Sequence, residues 1–223
     1  MGEALRISGS GMQCIGAYQA LPAGKPKGGI VVVQEIFGVN AHIRDIVDGL
    51  ALEGYAAIAP ALFDHVESDI ELAYDAEGVA RGRSLIGELD IDAVMLDVGS
   101  AADAIRSAGK IGVVGYCWGG TIAMLAASRL GLPAVSYYGA RNVAWLHEVF
   151  SAPLQFHFGA NDASIPTAAI ERHRQSLPAA EIHVYPAGHG FNCDQRADFD
   201  PDSAALARQR TLAFFARHLA TVP

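Results

Sequence analysis

Short apolar runs alternating with longer stretches of helical spacing constrain this chain more than any other feature of its sequence. The runs lie near residues 13–18, 29–33, 56–58, 111–114, 134–138, 154–158 and 181–185, and most are apolar almost throughout. A strand with one face in water alternates apolar and polar side chains, whereas a strand apolar at successive positions is covered on both faces. The pattern therefore predicts an α/β fold with a mostly parallel central sheet flanked by helices on both faces, only the first of these strands being antiparallel. Asn40 can cap a helix that uses Ile43, Ile46, Val47 and Leu50, and Asp202 or Ser203 can cap a last one that uses Leu212, Phe215 and Leu219. Residues 65–89 carry Glu67, Asp69, Glu71, Asp75, Glu77, Arg81, Arg83 and Glu88 among scattered apolar residues and read as a solvated helix surface.

Composition enters as a limit. With 223 residues, 51% of them hydrophobic and 18% charged, the chain can bury one large core. No repeat, low-complexity tract or composition break marks a second domain, so a single domain over 1–223 without a separate lid is expected. A net charge of -8 and the lack of any basic run argue against a nucleic-acid surface and leave a small molecule as the expected partner. Cys14, Cys117 and Cys193 are too few and too scattered for a disulfide framework. The first residues show no basic region followed by an apolar core, and Ile30–Val33 is far too short to span a bilayer. A soluble cytoplasmic protein, monomeric or weakly dimeric, is expected.

Gly115-Tyr116-Cys117-Trp118-Gly119-Gly120 joins the strand at Ile111–Val114 to an apolar helix that starts near Thr121. A nucleophile elbow belongs at such a junction, because small residues on either side tolerate the strained backbone that lifts the nucleophile above the sheet edge. A free cysteine is more often a small buried hydrophobe than a nucleophile. The order of the downstream acid and histidine raises Cys117 above that reading. Asp162 stands just past the run at Leu154–Phe158, and His189 stands in a glycine-bounded loop past Ile182–Tyr185, which is the order of nucleophile, acid and base in such folds. A thiol of ordinary pKa, about 8.5, is mostly protonated at neutral pH, so a base is needed; His189, oriented by Asp162, is placed to be that base. The partial positive charge at the N-terminus of the following helix favours a thiolate at Cys117.

Other chemistries fit less well. Gly119-Gly120-Thr121 lacks the lysine of a phosphate-binding loop, and neither Cys-x-x-Cys nor His-Glu-x-x-His occurs, so no cofactor and no metal are expected. The His-x-Glu of a glutamine-amidotransferase-like enzyme should follow its cysteine, but His65-Val66-Glu67 precedes Cys117.

Gln34-Glu35-Ile36-Phe37-Gly38-Val39-Asn40, the cysteine-containing elbow, Tyr137-Tyr138-Gly139, Gly159-Ala160-Asn161-Asp162 and Gly188-His189-Gly190-Phe191 together resemble the dienelactone hydrolase family of α/β-hydrolases. The resemblance spans nearly the whole chain and implies a hydrolase of small esters or lactones, with Cys117, His189 and Asp162 as a triad and a thioester intermediate. It also implies that Glu35 holds the resting thiol and takes its proton when substrate arrives. The backbone N–H groups of Trp118 and Ile36 would form the oxyanion hole, Arg81 or Arg83 would grip a substrate carboxylate, and Tyr138 and Phe37 would line the pocket. One departure stands out: where the family often places a second carboxylate-binding arginine, this chain has Cys193, with Arg196 nearby. The other reading is a non-catalytic or regulatory protein that binds a small molecule on the same scaffold.

Overall fold

The computed structural model describes residues 1–220. Among them, eight strands, mostly parallel, and six α-helices make an α/β fold. They fall into two compact units, 1–112 with 219–220, and 113–218.

In the first unit, β1 (Glu3–Ser8), β2 (Cys14–Ala20), β3 (Gly29–Val33) and β4 (Ala56–Pro60) lie in the order β1-β2-β4-β3. β2 runs antiparallel to both β1 and β4, and β3 runs parallel to β4. Every residue of β3 and β4 is buried, as apolar runs covered on both faces require. β2 is the antiparallel strand the sequence predicts. β1 is unforeseen, because Glu3 and Arg6 dilute its apolar signal and only Ile7 is fully buried. Its pairing comes from a tight turn in which the Gly9 N–H donates to the Gln13 carbonyl at 2.6 Å.

Helix α1 (Ala41–Leu52) is capped as expected, the Asn40 side chain accepting the Ile43 N–H at 3.2 Å, and it packs on β2, β3 and β4. The charged stretch 65–89 is less uniform than a solvated helix. A short 3-10 turn at Leu62–His65 and irregular backbone precede α2 (Ala76–Glu88), which buries Gly78, Gly82, Leu85 and Ile86 and is capped by Asp75. Helix α3 (Ile91–Ala104), capped by Asp90, packs on β1, β3 and β4.

In the second unit, β5 (Ile111–Tyr116), β6 (Ala134–Tyr137), β7 (Leu154–Gly159) and β8 (Glu181–Tyr185) follow one another in space as in sequence, every pair parallel. Parallel neighbours bring their carboxyl ends to one edge, and the loops leaving β5, β7 and β8 carry Cys117, Asp162 and His189. Helix α4 (Trp118–Arg129) is buried through Ala127 and packs on β6. α5 (Thr167–Ser176) and α6 (Pro201–Leu219) complete the unit. The cap of α6 is Asp200 rather than Asp202 or Ser203: its carboxylate accepts the Ser203 N–H at 2.8 Å and its carbonyl the Ala204 N–H at 2.9 Å. Pro201 moves the start upstream, because a proline is pre-organised for the first helical position and has no N–H to leave unpaired there. No helix among the described residues is long and apolar enough to cross a membrane.

Two glycines test this packing in opposite directions. A Cβ on Gly115 would sit 1.9 Å from the Gly119 carbonyl oxygen, whereas one on Gly87, exposed near the end of α2, would meet nothing within 4 Å. Gly115→Ala is expected to abolish the soluble native fold. Gly87→Ala is expected to raise unfolding stability by up to about 1 kcal/mol through lower backbone entropy of the unfolded chain; urea melts of both variants check the pair.

Candidate active site

The β5–α4 turn is strained where the sequence places its nucleophile. Cys117 has φ 54 and ψ -117, a conformation that costs an L-residue about 1–3 kcal/mol and persists only where its surroundings over-determine it. Here the Cys117 N–H donates to the Tyr137 carbonyl at 3.0 Å, and the Cys117 carbonyl accepts the Gly120 N–H at 3.0 Å. Gly115 lets the Gly119 carbonyl approach, and Gly120 lies against the Tyr137 carbonyl, 2.6 Å from where its Cβ would be. Behind the turn, the Thr121 hydroxyl of α4 donates to the buried Asn142 side chain at 2.8 Å, fastening the helix to the segment after β6. The consequence is local: from Gly112 to Ala127, Cys117 alone escapes full burial.

The Cys117 Sγ lies 3.1 Å from His189 Nε2, and His189 Nδ1 lies 2.7 Å from Asp162 Oδ2. Asp162 is buried, and its other oxygen accepts the Ser164 N–H at 2.8 Å, so the carboxylate is held from both sides. An acceptor at Nδ1 assigns a hydrogen to that nitrogen and turns Nε2 toward sulfur. Burial opposes protonation of the imidazole, but its hydrogen bonds to Asp162 and Cys117 outweigh that and raise its pKa to about 10. At neutral pH the ring therefore keeps its proton.

Tyr138, with φ 39, is fully buried, and its ring meets the His189 ring edge-on at 5.2 Å and the Phe191 ring at 5.4 Å. It packs against the imidazole. Trp118, the first residue of α4, supplies the backbone amide next to Cys117. Cys193 is fully buried, its N–H donating to the Gly190 carbonyl at 2.9 Å. The Arg196 guanidinium carbon lies 2.6 Å from where a Cβ on Gly190 would be, so Arg196 rests against the residue after His189.

The remaining predicted site residues gather in the first unit. Glu35, Ile36 and Phe37, just past β3, are buried. Gly82 of α2 lacks the Cβ that would lie 2.0 Å from the Ile36 carbonyl oxygen, so the helix packs flush on that loop, with Arg81 and Arg83 to either side of the contact. Arg81 is ion-paired with Glu67, and Arg83 is exposed. The Phe37 ring lies 4.4 Å from that of Tyr74. Asn142 escaped sequence reasoning, since a lone asparagine after a strand reads as a turn former. So did His157 and Tyr185, although polar residues two apart in an apolar strand, as Gln155 and His157 are, mark one face of it as polar.

The profile of the dienelactone hydrolase family matches residues 15–219. The chain belongs to that family. The carboxymethylenebutenolidase of Pseudomonas putida is 33% identical over 226 residues, covering 96% of each chain. A Synechocystis protein provisionally given the same name is 35% identical over 211 residues, covering 85% of this chain and 86% of its own. The structure of a Klebsiella pneumoniae protein provisionally named dienelactone hydrolase superposes with a TM-score of 0.85 at 35% identity, covering 97% of this chain and 99% of the other. The fold is thus that of the α/β-hydrolases, and the protein is an ester or lactone hydrolase of the dienelactone hydrolase type.

The His189 pKa has a measurable consequence. Because it is raised above the ordinary value of about 6.5, its protonation stabilises the native state fully below that pH, and the contribution is lost as pH rises towards about 10. Melting temperature is expected to fall across that window for this family member. Asp162→Asn, which removes the charge holding the proton, is expected to flatten the fall.

Proposed function

We propose that this protein hydrolyses a small enol lactone or activated ester through Cys117, His189 and Asp162, by way of a thioester. The observation that carries the reading is the partly exposed thiol on a strained turn, 3.1 Å from an imidazole that a buried carboxylate orients. The Cys117 thiolate attacks the carbonyl carbon, and the carbonyl electron pair moves onto oxygen, where the N–H groups of Trp118 and Ile36 receive it. Collapse breaks the C–O bond, the leaving oxygen takes the proton from His189 Nε2, and the acyl group stays on sulfur. Water then attacks the thioester while Nε2 takes its proton, and the second collapse releases the carboxylic acid and the thiolate.

Glu35 is proposed as the resting partner of the thiol, taking its proton as substrate arrives. Its burial just past β3, away from bulk water, supports that role. Arg81 or Arg83, and Arg196 beside Gly190, are the proposed contacts for a substrate carboxylate, with Tyr138 and Phe37 shaping the pocket. A small-molecule substrate in a reducing cytoplasm fits the lack of basic runs and the reactive thiol.

The test monitors loss of dienelactone ultraviolet absorbance, cis and trans isomers separately. Wild type is expected to turn over, and Cys117→Ala and His189→Ala to lose about 10⁴-fold or more in kcat with the fold intact. Cys117→Ser should also be much slower, because a hydroxyl is far less acidic than a thiol. An active Cys117→Ala protein would refute the mechanism, and a wild type that acylates without release would favour the non-catalytic binder. For Glu35, the expected outcome is that Glu35→Gln changes both thiol alkylation rate and turnover; no change in either removes it from the mechanism.

A further inference from the structure

Within the second unit, β6, β7, β8 and α6 enclose a polar network that the proposed chemistry does not use. His157 of β7 is fully buried, with Nδ1 2.7 Å from the Tyr185 hydroxyl and Nε2 2.9 Å from Gln155 Oε1 and 3.1 Å from Thr211 Oγ1. The partners assign its hydrogen. Gln155 Nε2 donates to Glu181 Oε2 at 2.8 Å, so the amide oxygen is what faces His157, and an amide oxygen only accepts. Nε2 therefore carries the hydrogen, and Nδ1 accepts from the Tyr185 hydroxyl. That hydroxyl accepts in turn from Arg210 of α6 at 3.2 Å.

The hydrogen bonds thus run in one direction, from Arg210 through Tyr185, His157 and Gln155 to Glu181, with each donor meeting an acceptor. A second proton on His157 would take from the Tyr185 hydroxyl the acceptor for its hydrogen. Burial, with His183 and Arg210 adding to it, pushes the His157 pKa well below the ordinary value and keeps the ring neutral. The groups that face it are His183, stacked on it at 5.5 Å, Glu181 on β8, Arg210 on α6, and Tyr137 on β6, whose hydroxyl lies 2.7 Å from that of Thr211.

The network ends against the two loops of the site. Tyr185 is the last residue of β8, and its carbonyl accepts the N–H groups of Ala160 at 2.7 Å and Ala187 at 2.8 Å, while the Ala187 carbonyl accepts the Asn161 N–H at 3.0 Å. One residue therefore ties the turn leading to Asp162 to the loop leading to His189. On the other side, the His157 carbonyl accepts the N–H of Tyr138, whose ring packs against the imidazole of His189.

We propose that His157 and Tyr185 are positioning residues: His157, through Tyr185, fixes the separation of the Asp162 and His189 loops and so the contact between those two side chains. The inference rests on the reading of Cys117, His189 and Asp162 as the working groups.

The experiment titrates the ring of His189 by NMR in wild type, Tyr185→Phe, His157→Gln and Arg210→Gln, with kcat, KM and melting temperature measured beside it. In wild type, His189 is expected to titrate near 10 and His157 to stay the Nε2–H tautomer from acid to neutral pH. Tyr185→Phe should lower the His189 midpoint by about one unit and kcat about tenfold with KM unchanged, and Arg210→Gln should do the same in smaller measure. Variants that melt lower but keep the wild-type His189 midpoint and kcat would make the network structural only and overturn the inference. A wild-type midpoint near that of free histidine would instead break the reading of the site itself. Should His157→Gln fail to fold, Tyr185→Phe, which keeps the ring, and Arg210→Gln, at the half-buried rim, decide the matter.

Discussion

The partly exposed position of Cys117 depends on a close backbone approach with no side chain in it. Gly115 and the Gly119 carbonyl meet so tightly that no Cβ fits between them, and that contact forces the chain from strand into helix over a single residue. Cys117 bears the resulting strain in a left-handed conformation while its neighbours sink into the core. The strain is local, and what offsets it is distributed: burial of α4 through Ala127, the Tyr137 carbonyl, and the clip between Thr121 and Asn142. A thiol lifted in this way stays reachable without the surrounding helix having to open.

Electrostatics then set the state of the groups beside Cys117. Asp162 spends one oxygen on its own turn and the other on His189, so its charge is already oriented before any substrate arrives. A buried imidazole would ordinarily shed its proton; with Asp162 on one nitrogen and Cys117 on the other, this one keeps it. His157 lies two residues before the end of β7 and shows the opposite outcome for the same side chain. Its partners are neutral or already committed, so burial prevails and it stays uncharged. One histidine is tuned to carry a proton and the other to refuse it, and the hydrogen bonds from Tyr185 link their loops.

Much of this is legible in the chain. The strands of near-continuous apolar character, the cap at Asn40, the cysteine elbow and the order of Cys117, Asp162 and His189 all come from local pattern, because burial on both faces and a tight turn leave their mark on adjacent residues. β1 is not legible, since an edge strand with one buried residue has no periodicity strong enough to show and is made by pairing with β2. The cap of α6 lies two or three residues upstream of the expected one, because Pro201 is itself a helix start and outweighs the capping side chains after it. Asn142, His157 and Tyr185 do not stand out in the chain because a polar residue in a strand or loop acquires its meaning from partners far along it.

By itself, the sequence determined the fold class and the order in which the elbow cysteine, the acid and the histidine follow their strands, since each rests on residue type and short spacing. Tertiary structure alone decided which groups carry protons. The ionisation of His189, the neutrality of His157 and the direction of the hydrogen bonds between Arg210 and Glu181 depend on distances of a few ångströms between residues tens of positions apart. Dielectric and hydrogen-bond geometry vary over such distances, and no local pattern in the chain encodes them.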